Sequence, residues 1–290
     1  MNVIDLIRTS FENASKNPTP KTVDVAKVTA DELAALPADM RTAVTDAQKY
    51  AEKNFSKMSP PPTITVTAAP ANGGSPVTVI VPPGRRGELN VHTHYHGDRA
   101  QAVSGENKAA ESIAERIRKG DKTVWVLPEA KGPGDSTDWS NPVDVDKTTN
   151  EALRGAGLVP KDVDQRVVSA HSSGGRALTK TLERGGSISG DELIIQDALY
   201  PGVFEDLKQK LGGATLGLSH VTIVPADGTK EAVTNARALA KVLNGDWGPG
   251  PTNADVAKPA PSHYDASAVF EGTRTQAKPT GDRFERGGRW

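Results

Sequence analysis

The run Arg166-Val-Val-Ser-Ala-His-Ser-Ser-Gly-Gly-Arg-Ala-Leu178 fits a strand, a turn and a helix start into thirteen residues, and no other stretch constrains the fold as much. Asp162 to Ala170 alternates into an apolar Val-Val core, and Arg176 to Leu182 has helix-forming composition. A chain that passes from a buried strand into a helix with so few connecting residues forces the tip of the turn into unfavourable backbone angles. The residues two before and two after the tip must be small so that strand and helix can approach. Ser172 at the tip puts Ala170 and Gly174 at those positions. Ser173 at the tip would put His171 there, where the imidazole clashes, so the geometry selects Ser172.

The pattern is G-x-S-x-G, a nucleophile elbow, with alanine in place of the first glycine. The plain alternative is a glycine-rich loop with serines capping a helix N-terminus. The strand before the turn and the helix after it weigh against that alternative.

At 290 residues the chain can bury a large core, and 36% hydrophobic with 24% charged residues is a soluble globular composition. A net charge of -1 offers no attraction for nucleic acid or an anionic membrane, so neither is expected as a partner. The absence of cysteine excludes disulfides, thiolate metal sites and a cysteine nucleophile together. Asp5 and Arg8 interrupt the apolar start before a signal-peptide core can form, and no stretch has the length of a membrane span. A cytoplasmic or leaderless secreted protein is therefore expected.

Composition shifts at Ser59-Pro-Pro-Pro62. Before it, Thr29-Ala-Asp-Glu32 reads as a capping box and Asp39 to Phe55 as an amphipathic helix. Residues 1–60 are thus expected as a helical appendage, able to pack on the main domain or bind a protein partner. Residues 61–272 form the main domain in this reading, and 273–290 an arginine-rich polar tail.

Within the main domain, strands are expected at 63–67, 77–81, 88–95, 123–127, 166–170, 192–197 and 221–224. Helices are expected at 106–118, 147–156, 175–182, 203–211 and 230–243. Early strands able to pair antiparallel, followed by strand and helix in alternation, predict an α/β fold: a mostly parallel sheet with helices on both faces. Sites in such sheets lie at the carboxyl ends of the strands.

The polar residues fall at those ends or in late loops. Ser172 follows one strand, Asp197 ends Leu193-Ile-Ile-Gln-Asp197, Asp227 follows Val221-Thr-Ile-Val-Pro225, and His263 lies in Pro261-Ser-His-Tyr264. Serine needs a base to become nucleophilic at neutral pH, and imidazole suits that task. Of the six histidines, His92, His94 and His96 precede the elbow, His171 is fixed beside it and His220 begins a strand. His263 alone lies in a late loop able to return over the sheet. Asp197 and Asp227 both remain as the acid, although Asp-Gly-Thr at 227 also makes an ordinary turn. A His-Gly turn after the third strand suits an oxyanion hole, with donors at the backbone of Ser173 and of Asp98 or Gly97.

Thr93-His-Tyr-His-Gly-Asp98 also resembles the T-H-x-H-x-D-H metal motif of metallo-β-lactamase-type hydrolases. Arg99 stands where that motif needs its last histidine. Three alternating histidines would still share one strand face, an arrangement able to hold a metal ion. The main reading invokes neither metal nor cofactor.

Taken together, the serine turn, Tyr95-His-Gly97 and Asp197-Ala-Leu-Tyr200 resemble the α/β-hydrolase superfamily over residues 63–270, and within it a branch of bacterial hydrolases. Members of that branch carry an H-S-G-G-like elbow and a D-x-L-Y turn after the sixth strand, which favours Asp197 over Asp227. The resemblance implies acyl transfer to water. Ser172 would attack an ester or amide, His263 would shuttle the proton, and an aspartate would hold the imidazole. The loop 129–141, with Gly132, Gly134 and Trp139, would shape the acyl pocket. With 4% aromatic residues, a small or peptide-like acyl substrate is expected rather than a lipid surface. A degenerate, non-catalytic hydrolase fold that binds a partner is the alternative outside enzymology.

Overall fold

The computed structural model describes residues 21–85, 89–97, 103, 108–130, 139, 143–200, 203–213, 217–226, 230–244 and 253–270. The described strands are β1 (Lys21–Asp24), β2 (Thr63–Ala68), β3 (Pro76–Val81), β4 (Leu89–Tyr95), β5 (Val124–Pro128), β6 (Val163–His171), β7 (Ser189–Gln196), β8 (Gly217–Val224) and β9 (Asn253–Val256). The helices are α1 (Ala30–Ala35), α2 (Ala38–Phe55), α3 (Lys108–Arg118), α4 (Val145–Gly155), α5 (Gly175–Glu183), α6 (Val203–Gly213), α7 (Lys230–Leu243) and α8 (His263–Ala266).

All nine strands join one sheet in the order β1-β2-β3-β5-β4-β6-β7-β8-β9. Pairing is antiparallel from β1 through β2 and β3 to β5, and parallel from β5 through β4 to β9. The expected α/β architecture, with its antiparallel start, is therefore what the chain adopts. From β4 the chain crosses through α3 to β5 on one side, then through α4 to β6 on the other. That reversal falls at the carboxyl ends of β4 and β6, the place where α/β sheets seat their ligands.

Alternation along the strands feeds two cores. Ile64, Val66, Ile80, Trp125 and Leu127 pack under α2 and α3, through Met40, Val44, Ala47, Ile113 and Ile117. Val77, Val79, Val91, Val124 and Val126 turn the other way, against Ala152 and Leu153 of α4. Val168, Leu193 and Ile195 continue that second face beneath α5, α6 and α7. The central strands β6 and β7 are thus apolar on that second face, whereas their other face carries the buried polar side chains Ser169, His171, Glu192 and Gln196.

The described residues ahead of the Ser59–Pro62 break, from 21 on, take part in the same architecture. β1 pairs along β2 as the edge strand, and α2 buries Met40, Val44, Ala47, Tyr50 and Phe55. The Thr29 capping box closes as expected: the Thr29 hydroxyl accepts from the Glu32 amide, and the Glu32 carboxylate accepts from the Thr29 amide at 2.8 Å. Tyr50 fastens α2 to α3 by donating to the Ala110 carbonyl at 2.8 Å. His220 lies inside β8 rather than at its start, because pairing with β7 extends that strand back to Gly217.

Candidate active site

Two non-glycine residues among those described hold positive φ: Ser172 at 51° and Asp197 at 44°. Each follows a neighbouring parallel strand, β6 and β7, at its carboxyl end. Left-handed backbone is unusual for serine and tolerable for aspartate. In both cases the chain turns sharply out of the sheet. His171 is still extended, Ser172 makes the turn, and Ser172–Gly174 forms a single 3-10 turn that opens α5.

Steric limits fix the turn. Ala170 is fully buried. A Cβ at Gly174 would collide with the carbonyl of Tyr95 and lie 2.8 Å from that of His96, so no larger residue fits there. A Cβ at Gly97 would come within 2.8 Å of both His171 Nδ1 and Ser172 Cβ. The backbone leaving β4 therefore lies directly against the serine turn, where glycine permits the approach. The Ser173 amide stands in the first turn at the α5 N-terminus, where helix N–H groups lack intrahelical partners. Gly97 and Ser173, both expected from sequence as backbone donors, therefore stand at the serine turn. Asp98, the other donor expected from sequence, lies outside the described residues.

His263 opens α8, which Ser262 caps by accepting from the Asp265 amide at 3.1 Å. Its Nδ1 is 2.6 Å from Asp197 Oδ2, while Asp197 Oδ1 accepts from the Ala226 amide at 3.1 Å. Burial would raise the Asp197 carboxyl. The hydrogen bonds from His263 and Ala226 and the charge of His263 outweigh it and hold the group below its ordinary value. An ionised carboxylate can only accept, so Nδ1 carries a proton, and Nε2 is the ring nitrogen left for proton exchange. The His263 side chain is 42% exposed, against 17% for Asp197, so the ring is reachable from solvent while its anchor is sheltered.

His171 joins the serine turn to this pair. Its Nε2–H donates to the His263 carbonyl at 2.8 Å, and the two rings sit 4.5 Å apart. The His263–Asp197 pair is thus joined by His171 to the turn that carries Ser172, and Gly97 lies against that turn. Asp227 lies outside the described residues, as does most of the 129–141 loop. Trp139 of that loop is buried against Tyr95 and His96, with ring centroids 5.3 Å apart in both cases.

His92, His94 and His96 are all buried, and each is engaged by protein groups. His92 Nε2 and His94 Nδ1 lie 2.8 and 2.9 Å from Ser169 Oγ, and His92 stacks on Trp125 at 4.6 Å. His96 Nδ1 donates to the Gly97 carbonyl at 2.9 Å. Burial, helped by nearby Arg116, pushes His92 down to about 3, and burial with the charge of His92 holds His94 well below its usual range. Among the described residues no three histidine or carboxylate side chains converge as a metal centre requires.

Sequence reasoning missed Ser169, Gln196 and Phe270. Phe270 packs edge-on to His92 and His94 at 5.2 and 5.3 Å. Gln196, at the end of β7, donates to the Val269 carbonyl at 2.7 Å and pins the chain beyond α8. An apolar residue near the end of a polar loop is the only trace of these contacts in the sequence. No helix among the described residues is long and apolar enough to cross a membrane.

No protein-family model matches the chain, and no curated protein sequence matches it. Among solved structures it is similar to a hormone-sensitive lipase from a metagenome library, at 13% identity and TM-score 0.45 over 92% of this chain and 91% of that one. It is also similar to a fluorophosphonate-binding serine hydrolase of Staphylococcus aureus, at 10% identity and TM-score 0.44 over 70% and 92%. A thermostable esterase from Pseudomonas putida matches at 13% identity and TM-score 0.40 over 82% and 86%. Likenesses this distant carry no chemistry across to the present chain. Its own sheet order, antiparallel at the start and parallel from β5 onward, and the left-handed serine between β6 and α5 give it an α/β fold with an elbow-like turn at the centre of the sheet.

Proposed function

We propose that the protein is a serine hydrolase that cleaves an ester or amide of a small or peptide-like acyl substrate through an acyl-enzyme on Ser172. The observation that carries this reading is the His263–Asp197 contact of 2.6 Å, tied through His171 to a serine in left-handed backbone. His263 Nε2 takes the Ser172 hydroxyl proton as Oγ attacks the carbonyl carbon. The negative charge that develops on the carbonyl oxygen is met by the amides of Ser173 and Gly97, with Asp98 as a further candidate donor. The imidazolium, steadied by ionised Asp197, returns the proton to the leaving group. Water then attacks the acyl-enzyme by the same route, and Ser172 is released.

The experiment is mass spectrometry after treatment with a fluorophosphonate, comparing wild type with Ser172→Ala. A single adduct on the peptide carrying Ser172, lost in the variant and indifferent to a chelator, is expected. A wild-type protein that takes no adduct while hydrolysing nothing would remove the reading.

A further inference from the structure

A general base serves only if its ring is held where the nucleophile's proton is, and a hydrogen bond to Nδ1 fixes one edge of the ring while leaving the backbone beneath it free to shift. The short helix α8 is four residues long, so little within it resists such a shift. Lys108 of α3 holds its Asp265 side chain, and against its first residue lies the side chain of His171, the residue immediately before Ser172. Its Nε2–H reaches the carbonyl of His263 itself at 2.8 Å.

We propose that His171 is a positioning residue that locks the backbone of His263 to the serine turn, so that nucleophile and base keep their register as one unit. This rests on the serine-hydrolase reading of the same cluster. Three observations carry it. The bond goes to the backbone of the base, and Asp197 separately holds the ring. The other edge of the His171 ring lies against Gly97, which blocks movement of the imidazole toward β4. Finally, residues beyond α8 have their own fastening, Gln196 to Val269, so the His171 bond is not needed merely to keep the segment on the sheet.

His171 is unsuited to be the base. Its Nε2 is committed to a carbonyl, which can only accept, and the ring is buried. Burial, with the charge of neighbouring His263, pushes it down to about 4. A ring that stays neutral adds no second positive charge next to the imidazolium that His263 becomes during acyl transfer.

The test compares His171→Leu, which removes the donor, with His171→Gln, which keeps an N–H of similar reach. Leucine is expected to lower kcat by about tenfold to a hundredfold with KM nearly unchanged, the effect of displacing a base by an ångström or less. Glutamine is expected to recover most of that loss. The downfield proton resonance of the His263–Asp197 hydrogen bond should shift or broaden in the leucine variant and return in the glutamine variant. That readout needs no turnover, so it tests the positioning even if the wild type takes no fluorophosphonate and the hydrolase reading fails. Should the leucine variant not fold, His171→Asn, with its donor drawn back by one methylene, replaces it and is expected to show the same two losses. Wild-type kcat and an unmoved resonance in a folded donor-less variant would overturn the proposal. Equal losses in the leucine and glutamine variants would do the same, since ring packing rather than the hydrogen bond would then be responsible.

Discussion

Two serines three residues apart, Ser169 in strand β6 and Ser172 in the turn after it, each stand next to a histidine, and the two have opposite fates. Ser169 is sealed between His92 and His94 on the face covered by α2 and α3. One consistent proton inventory is available there: the orphaned Nε2 of His94 is best left as a bare acceptor, so His94 Nδ1–H donates to Ser169, whose hydroxyl donates to His92 Nε2. Both rings are neutral, no carboxylate joins them, and the backbone is an ordinary strand. Ser172 lies beyond the strand end in left-handed backbone, partly open to solvent, and its neighbour His171 bonds to a half-exposed histidine that is itself bonded to an ionised aspartate. The same pair of residue types makes a structural rivet in one place and, in the function proposed above, a reaction centre in the other. Exposure, backbone strain and an anionic anchor for the ring separate them.

The largest test of that contrast exchanges each hydroxyl for hydrogen. Ser172→Ala is expected to lower kcat by roughly 10⁵ to 10⁶, measured on any ester the wild type turns over. Ser169→Ala should leave kcat within a few-fold. If Ser169→Ala were as inactive as Ser172→Ala while folded, the division between rivet and centre would be wrong. Next in size is Asp197→Asn, expected to lower kcat by about 10³ to 10⁴, because an amide can donate to Nδ1 and favour the wrong tautomer. Asparagine also tolerates positive φ, so the melting temperature should change little, which calorimetry would check.

Acid acts on the buried histidines. His92 and His171 titrate near 3 and 4 in the folded protein, against an ordinary value of 6.5, and His94 is shifted the same way. Below about pH 6.5 the unfolded chain binds protons that the folded chain refuses, so stability falls as pH falls. Each such histidine contributes about 1.4 kcal/mol per pH unit until its own folded value is reached, where its contribution stops growing. The lowered carboxyls of Asp197 and Asp121 add a further loss in the same direction, as pH drops from the ordinary carboxylate range through their folded values. Denaturant melts at pH 7, 6 and 5 should show the decline starting before any carboxylate titrates. A flat profile over that range would mean that the histidines are not buried neutral. The smallest effect is the stability of Ser169→Ala: about 1–3 kcal/mol for each nitrogen left unpaired, seen as a drop of several degrees in Tm.

The sequence carried the serine turn in full, because its determinants are local: Ala170, Gly174 and the Val-Val strand are all within a few residues of the tip. The sheet was legible for the same reason, since central strands announce themselves by apolar runs. β1 and β9 were not. Lys21-Thr-Val-Asp24 and Asn253-Ala-Asp-Val256 have little β character of their own and become strands by pairing with β2 and β8. Asp197 and His263 could be named by chain order and by resemblance, but a contact across 66 residues has no local signature. The histidines at 92 and 94 read as possible ligands because alternation fixes only the face they share. Ser169 on the neighbouring strand decides what they meet.

The left-handed serine has a consequence for how such a chain would drift. Forcing a side chain into that conformation costs about 1–2 kcal/mol that glycine would not incur. Ser172→Gly would therefore be expected to raise thermal endurance while abolishing chemistry. In a laboratory population screened for heat tolerance alone, the position would be lost early, so only a screen that also demands turnover can keep the site intact.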